Sequence, residues 1–340
     1  KGMDSASIGL ALFYLISIGK FSVWAIRQTL KLDIFLQNAQ KIQEYTNLPI
    51  ESNSEENVEK VSEHWPTSGE IVMKNVSFYY ENNTHPTLKN ISINIKSGEK
   101  IGIVGKTGCG KTTLINLLFR TREIEDRKDS FIKIDGVDIR KISLEQLRTK
   151  ISIIPQAPIL FSGTIRLNLD PYNLYNEKQL WEALEKVGMA QIIRELPEKL
   201  DAKINNCEFS TGQKQLLCLA RVILRNSKIL VLDEATANID METEKVLQEK
   251  IMQFFKDCTV ISISHRLITI ADFDKVLYLQ DGEVAEFAEP YKLLVEKVGD
   301  EHITKKEGKF ASMVKETEEM IAQSIFMKAY DKYYGKSLSR

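Results

Sequence analysis

Residues 105–112 read GKTGCGKT and satisfy the pattern G-x-x-x-x-G-K-[ST]. The apolar run EKIGIVG (99–105) before it predicts a buried strand, and TLINLLFR (113–120) after it predicts a helix. That is the context a phosphate-binding loop requires. The chemistry follows from the spacing. Gly105, Gly108 and Gly110 let the backbone curl so that its N–H groups point at phosphate oxygens. The helix N-terminus adds a positive field. Lys111 reaches the β- and γ-phosphates, and the Thr112 hydroxyl can ligate Mg²⁺. Lys106, Thr107, Cys109 and Thr113 complete the loop's candidate contacts, with Cys109 read as a small filler.

Such a loop needs an acidic partner at the end of a second apolar strand, and KILVLDEA (228–235) supplies one. Asp233 is placed to hold the Mg²⁺ shell. Glu234, next along the strand end, is placed to orient or deprotonate an attacking water, a role worth roughly 10²–10⁴-fold in rate. A further anion site is predicted at FSTGQKQLLCLARVILR (209–225). There Ser210, Thr211, Gly212 and Gln213 open a helix whose apolar face carries Leu216, Leu217, Ala220, Ile223 and Leu224. One nucleotide needs one phosphate loop. A second anion-facing turn therefore suits a nucleotide held by another subunit or domain.

The elements that must position these residues lie in a chain of 340 residues. Its 46 Lys and Arg against 47 Asp and Glu leave a net charge of −1, which argues against a nucleic-acid partner. A hydrophobic content of 43% excludes an acidic disordered chain, and 17 Gly with 8 Pro exclude collagen-like repeats. Four cysteines without short paired spacing exclude a disulfide scaffold or zinc finger and suit a reducing compartment. A mean hydropathy of −0.22 hides one apolar segment, Ala6–Ile26, whose only charge is Lys20. About 20 apolar residues suffice to cross a bilayer. Leu32, Phe35, Leu36, Ala39 and Ile42 continue the helical spacing to about Tyr45, so a membrane helix running into a cytosolic one is expected over 1–46. The segment lacks the flanks of a signal peptide, and the start at Lys1 reads as a piece of a longer protein. Residues 47–69 are acidic and aperiodic and predict a linker. Strand-like segments begin near Glu70 with EIVMKNVSFYY and LKNISINI, opening a domain expected over 70–295. The mixed-charge tail, 296–340, is expected to be a solvated helical cap.

Taken in order, these motifs resemble the nucleotide-binding domain of ATP-binding-cassette (ABC) transporters. The phosphate loop is followed by IIPQAPILFSGTIRLNLDP, whose Gln156 matches the Q-loop of that family. FSTGQ is similar to the signature LSGGQ, Asp233 and Glu234 match the Walker B pair, ATANID matches the D-loop ending at Asp240, and TVISISHR places the switch histidine at His265. NVSFYY supplies an adenine-stacking aromatic, with Tyr80 favoured and Tyr79 in reserve. LDP after the Q-loop, QLLCLAR, ILVLDEATAN and the helical tail SIFMKAYDKYYG look like the C-terminal cassette of the multidrug-resistance-associated proteins, subfamily C.

The resemblance implies an α/β fold: a RecA-like P-loop core with an antiparallel β subdomain and a helical subdomain, preceded by the end of a transmembrane helix. It implies ATP and Mg²⁺ as ligands, with Gln156 touching Mg²⁺ and relaying to the membrane helices, and His265 contacting the γ-phosphate. The implied partners are an N-terminal cassette and transmembrane domains of the same transporter at the cell membrane, with this part mostly on the cytoplasmic side. The implied cargo is an amphipathic organic anion. Two cassettes would close head to tail over two ATP molecules. This chain's phosphate loop and Glu234 would serve the competent site, and its own signature the weak one, because Thr211 stands where the family has Gly and Phe209 where it has Leu. Two other functions are weighed: a soluble ABC ATPase of DNA repair or translation, disfavoured by the apolar lead helix, and a channel-gating cassette, disfavoured by Glu234 and His265.

Overall fold

The computed structural model describes residues 4–48, 51, 61–80, 85–125, 129–234, 241–264, 266–298, 302–305 and 307–335. The chain divides into two compact units, Lys1–Ser54 and Glu55–Arg340.

The first unit is one uninterrupted helix, α1 (Ser5–Thr46), of 42 residues. At 1.5 Å per residue it is about 63 Å long, roughly twice the hydrocarbon thickness of a bilayer. By length and composition it is able to cross a membrane, and none of its residues is buried. The hydroxyls of Ser22 and Thr29 donate to carbonyls of the preceding turn, at Ile18 (2.8 Å) and Ile26 (2.8 Å). Both hydroxyls are thereby satisfied within the helix.

The second unit is built on two sheets. A four-stranded antiparallel sheet has the order β2 (Leu88–Ile95), β1 (Ile71–Phe78), β4 (Phe131–Ile134), β5 (Val137–Asp138). A six-stranded sheet has the order β10 (Glu283–Ala288), β9 (Lys275–Gln280), β3 (Lys100–Val104), β8 (Thr259–Ile263), β7 (Ile229–Asp233), β6 (Ile151–Ile154). Every pairing in it is parallel except β10 with β9. Strands β3 and β8 are buried at every position, as parallel strands covered on both faces must be. The apolar runs of β3 and β7 are what made EKIGIVG and ILVL readable as buried strands.

One core fills the space between the two sheets and α2 (Lys111–Leu118), with Ile71, Leu88, Ile101, Leu117 and Ile132 fully buried. A second joins the outer face of β6–β8 to the helical part. Its members come from α4 (Ile165–Leu169), α5 (Glu177–Val187), α6 (Ala190–Arg194), α7 (Thr211–Arg225) and α8 (Met241–Phe254). The α/β class and the antiparallel and helical subdomains are as expected.

Two boundaries differ from the sequence expectation. Packing of the second unit begins before Glu70. Trp65, in the expected linker, is buried and donates its indole N–H to Ile134 O (3.1 Å). The Asp135 carboxylate accepts from the N–H groups of Thr67 (2.7 Å), Ser68 (2.8 Å) and Glu70 (2.8 Å). A single Trp in a polar stretch has no periodicity to betray its burial. The tail is also not a solvated cap. It opens with a hairpin of β11 (Val295–Val298) and β12 (His302–Lys305). Helices α11 (Lys309–Lys315) and α12 (Glu319–Tyr334) then bury Phe310, Ile325 and Ala329 in a third core with Leu267, Tyr278 and Tyr291. Lys328 and Lys332 on α12 pair with Asp272 (2.8 Å) and Asp274 (2.9 Å).

Candidate active site

Parallel strands deliver their C-terminal ends to one edge of a sheet, and ligands of open α/β folds bind in the crevice outside that edge. Here β3 ends at Val104 and runs into the phosphate loop. β7 ends at Asp233, β8 at Ile263, and β6 at Ile154, two residues before Gln156. Ile103 pairs with Ile263, Asp233 with Ile263, and Ile154 with Leu232. The register therefore brings four motifs far apart in sequence to one level. Asp240 and His265 lie outside the described residues. On the two sides of His265, Ser264 Oγ accepts from Arg266 N–H (3.0 Å) and the Arg266 guanidinium pairs with Glu244 on α8.

The phosphate loop is closed against the sheet on one side and open on the other. A Cβ at Gly105 (φ 148°) would run into the Leu279 carbonyl and lie 2.8 Å from Cys109 Sγ. One at Gly110 (φ 106°), the N-cap of α2, would lie 2.6 Å from Leu88 Cδ2. At Gly108 nothing stands within 4 Å. Only Gly fits the first two positions; at the third the loop faces open space. Lys106, Thr107 and Thr112 are exposed, whereas Cys109 is buried in the first core, the filler its size suggested. The Lys111 side chain folds over the loop, donating to the carbonyls of Gly105 (2.9 Å) and Lys106 (3.1 Å). Thr113 is buried, and its hydroxyl meets that of Tyr80 at 3.2 Å. Tyr80 also stands edge-on to Phe78 (4.9 Å between centroids) with the Arg122 guanidinium over its ring (5.8 Å); Tyr79 is exposed.

Asp233 and Glu234 are both half-buried. Burial pushes the Asp233 carboxyl up, the Glu234 carboxylate pushes it further, and Lys111 partly offsets both. Two adjacent carboxylates in a partly desolvated place favour a cation between them and a phosphate. Glu234 takes a left-handed backbone, φ 48°, with its N–H donating to Ile263 O (3.0 Å). A non-Gly residue held there costs about 1–3 kcal/mol, and such strain concentrates at functional sites.

At the signature, Ser210 is the N-cap of α7 in a reciprocal capping box. Its hydroxyl accepts from Gln213 N–H (3.2 Å), and Gln213 Oε1 accepts from Ser210 N–H (3.0 Å). Both side chains expected to face an anion are thus engaged by their own helix. The first-turn N–H groups of Thr211 and Gly212 lack intrahelical acceptors by geometry. Thr211 is exposed and Gly212 buried.

Sequence reasoning overlooked Gln215. It is buried, and its Nε2 donates to Pro155 O (3.0 Å) and Gln156 O (3.1 Å). The available signal was a polar residue at a buried position of α7, two residues after Gln213.

Comparison with known proteins gives a consistent answer. The family described as "ABC transporter" matches residues 88–237. The chain is 43% identical over 299 residues to human ATP-binding cassette sub-family C member 4, covering 87% of this chain and 22% of that protein. It is 43% identical over 296 residues to the mouse protein of the same name, 86% and 22% of the two chains. It is 41% identical over 316 residues to bile pigment transporter 1 of Saccharomyces cerevisiae, 87% and 20%. The structure of a bacterial Atm1-family ABC exporter with ATP bound superposes with a TM-score of 0.66 at 30% identity, over 74% of this chain and 44% of the other. The chain spans about a fifth of the length of the curated relatives it matches.

Proposed function

We propose, from the premise that this chain belongs to the ABC transporters of subfamily C as a nucleotide-binding domain, that it binds and hydrolyses ATP as the second cassette of a membrane exporter. The observation that carries the reading is the convergence of the phosphate loop, Asp233, Glu234 and the Gln156 segment on one sheet edge.

The residues present fit the nucleotide. The loop is walled by Leu279 and Leu88 and open at Gly108, a shape that suits a phosphate group against backbone N–H donors. The Lys111 ammonium lies at the loop's rim, where its present acceptors are carbonyls that phosphate oxygens outbid. Tyr80, braced by Phe78 and Thr113, offers a ring for the adenine. Mg²⁺, when bound, neutralises phosphate charge and polarises the terminal phosphoryl group. Thr112, Asp233 and Gln156 would hold it, and the raised proton affinity of Asp233 fits a carboxylate awaiting a cation. Glu234 would orient the attacking water and accept its proton at a carboxylate oxygen. His265 would contact the γ-phosphate, and Asp240 would take part in binding the nucleotide.

An N-terminal cassette and transmembrane domains of the same transporter would be its partners. α1 would be the end of the last membrane helix and its cytosolic extension, residues 47–69 the connecting segment, and the rest would lie on the cytoplasmic side. The two cassettes would close head to tail, this chain's phosphate loop and Glu234 facing the partner cassette's signature. Its own signature, with exposed Thr211, would serve the weaker site. The cargo would be an amphipathic organic anion or drug conjugate. Vanadate-sensitive ATPase of the intact protein, stimulated by organic anions, together with uptake of labelled anions into vesicles, tests this reading. ATP binding without turnover would favour a gating cassette of the same subfamily instead.

A further inference from the structure

The helix that begins at the signature grips the segment that carries Gln156. Gln215 and Arg221, both on α7, reach this segment from the helix. Each binds the backbone of residues 155–161 or its support. Gln215 Nε2 donates to the carbonyls of Pro155 (3.0 Å) and Gln156 (3.1 Å). Arg221 donates to Ile159 O (3.3 Å) and to Asn168 O (2.7 Å). The Asn168 carboxamide in turn brackets Phe161, accepting from its N–H (2.8 Å) and donating to its carbonyl (2.9 Å). The backbone of the segment is thus held inward while Ile159 and Phe161 project into solvent, 58% and 59% exposed.

Gln215 is the nearer of the two to Gln156. Two carbonyl acceptors at hydrogen-bond distance fix which end of its carboxamide is nitrogen. Its Oε1 is buried with no hydrogen-bond partner among the described residues. An orphaned buried acceptor costs free energy, so the amide is held here by its two donated bonds. An apolar side chain of the same volume would fill the space without that cost.

We propose that Gln215 is a positioning residue for hydrolysis: it locks the backbone at Pro155 and Gln156 to the signature helix, so that movement of α7 and placement of the Gln156 side chain are one event. The proposal deepens the ATPase reading and rests on it.

The test uses the intact protein in lipid nanodiscs with Gln215→Leu and Gln215→Met. Both remove the donors and keep the bulk. Turnover falls, by up to about 10²-fold, the scale on which a misplacement of about 1 Å acts. The Mg²⁺ concentration for half-activation rises, while the ATP KM stays within about twofold because the phosphate loop is untouched. Variants with wild-type turnover and Mg²⁺ dependence overturn the proposal. So does a parallel loss of turnover, ATP affinity and thermal midpoint, which marks a purely structural role. Hydrogen exchange in the wild-type protein decides independently of the variants and of turnover. Peptides covering 155–161 and 211–225 gain the same protection when ATP is added; protection of the helix alone overturns the lock. A wild-type protein that exchanges in this way yet never hydrolyses ATP contradicts the ATPase reading and leaves the lock standing.

Discussion

The hydroxyl of Tyr80 meets the hydroxyl of Thr113 at 3.2 Å, tying the chain just past β1 to the first turn of α2. The antiparallel sheet and the phosphate loop are thereby joined beside the proposed adenine position. Tyr80→Ala removes ring and tie together and weakens ATP binding about 3–10-fold, the worth of one aromatic stack. Tyr80→Phe keeps the ring and stays within about twofold of wild type. Equilibrium titration with a fluorescent ATP analogue checks both. Equal losses in the two variants would assign the effect to the hydroxyl.

Lys111→Ala weakens ATP binding at this cassette by roughly 10–100-fold, the range for charge-assisted hydrogen bonds to a phosphate. Calorimetric titration is the check. An unchanged affinity would refute the phosphate role assigned to the Lys111 ammonium.

Thr211→Gly removes the exposed side chain from the signature turn while leaving the Ser210–Gln213 capping box in place. In the proposed transporter, nucleotide trapping by vanadate at the partner cassette would then rise. The helix loses at most about 1 kcal/mol, the interior cost of Gly. Unchanged trapping would show that Thr211 does not set the asymmetry between sites.

Asp135→Asn destabilises the cassette in a pH-dependent way. Partial burial raises the proton affinity of the Asp135 carboxyl, but the hydroxyl and backbone donors of the Ser68–Glu70 segment outweigh it and hold the group below its ordinary value. A depressed folded-state value stabilises above the unfolded pKa of about 3.9 and is lost as pH falls through the folded one. The variant is therefore less stable at pH 7, by at most about 1 kcal/mol at so solvent-screened a site, and the gap closes in strong acid. Urea unfolding at several pH values checks it, and a pH-independent gap would contradict the charge argument.

Much of the fold and site was legible because its elements carry local signals. Buried parallel strands announce themselves as apolar runs, and the phosphate loop as a Gly-rich pattern between a strand and a helix. The register that levels Asp233, Ile263 and Ile154 is set between strands far apart in the chain and leaves no local mark in the sequence. Trp65 and the tail escaped notice because their burial depends on partners far away, Ile134 for the indole and Asp272 and Asp274 for Lys328 and Lys332. Gln215 escaped for a related reason. Its partners are backbone carbonyls some 60 positions upstream, which leave no mark on side-chain pattern. Ser210 and Gln213 were legible as a helix start, but their mutual capping had to be seen.

The central claim is that Glu234, at the end of β7, is the base of an ATP-hydrolysing site. The most direct measurement is steady-state, vanadate-sensitive ATPase of the intact protein beside its Glu234→Gln variant, with ATP binding measured on both. The account predicts equal ATP affinity, turnover lowered by about 10²–10⁴-fold, and a closed dimer trapped with ATP in the variant. Turnover in Glu234→Gln equal to wild type would contradict it.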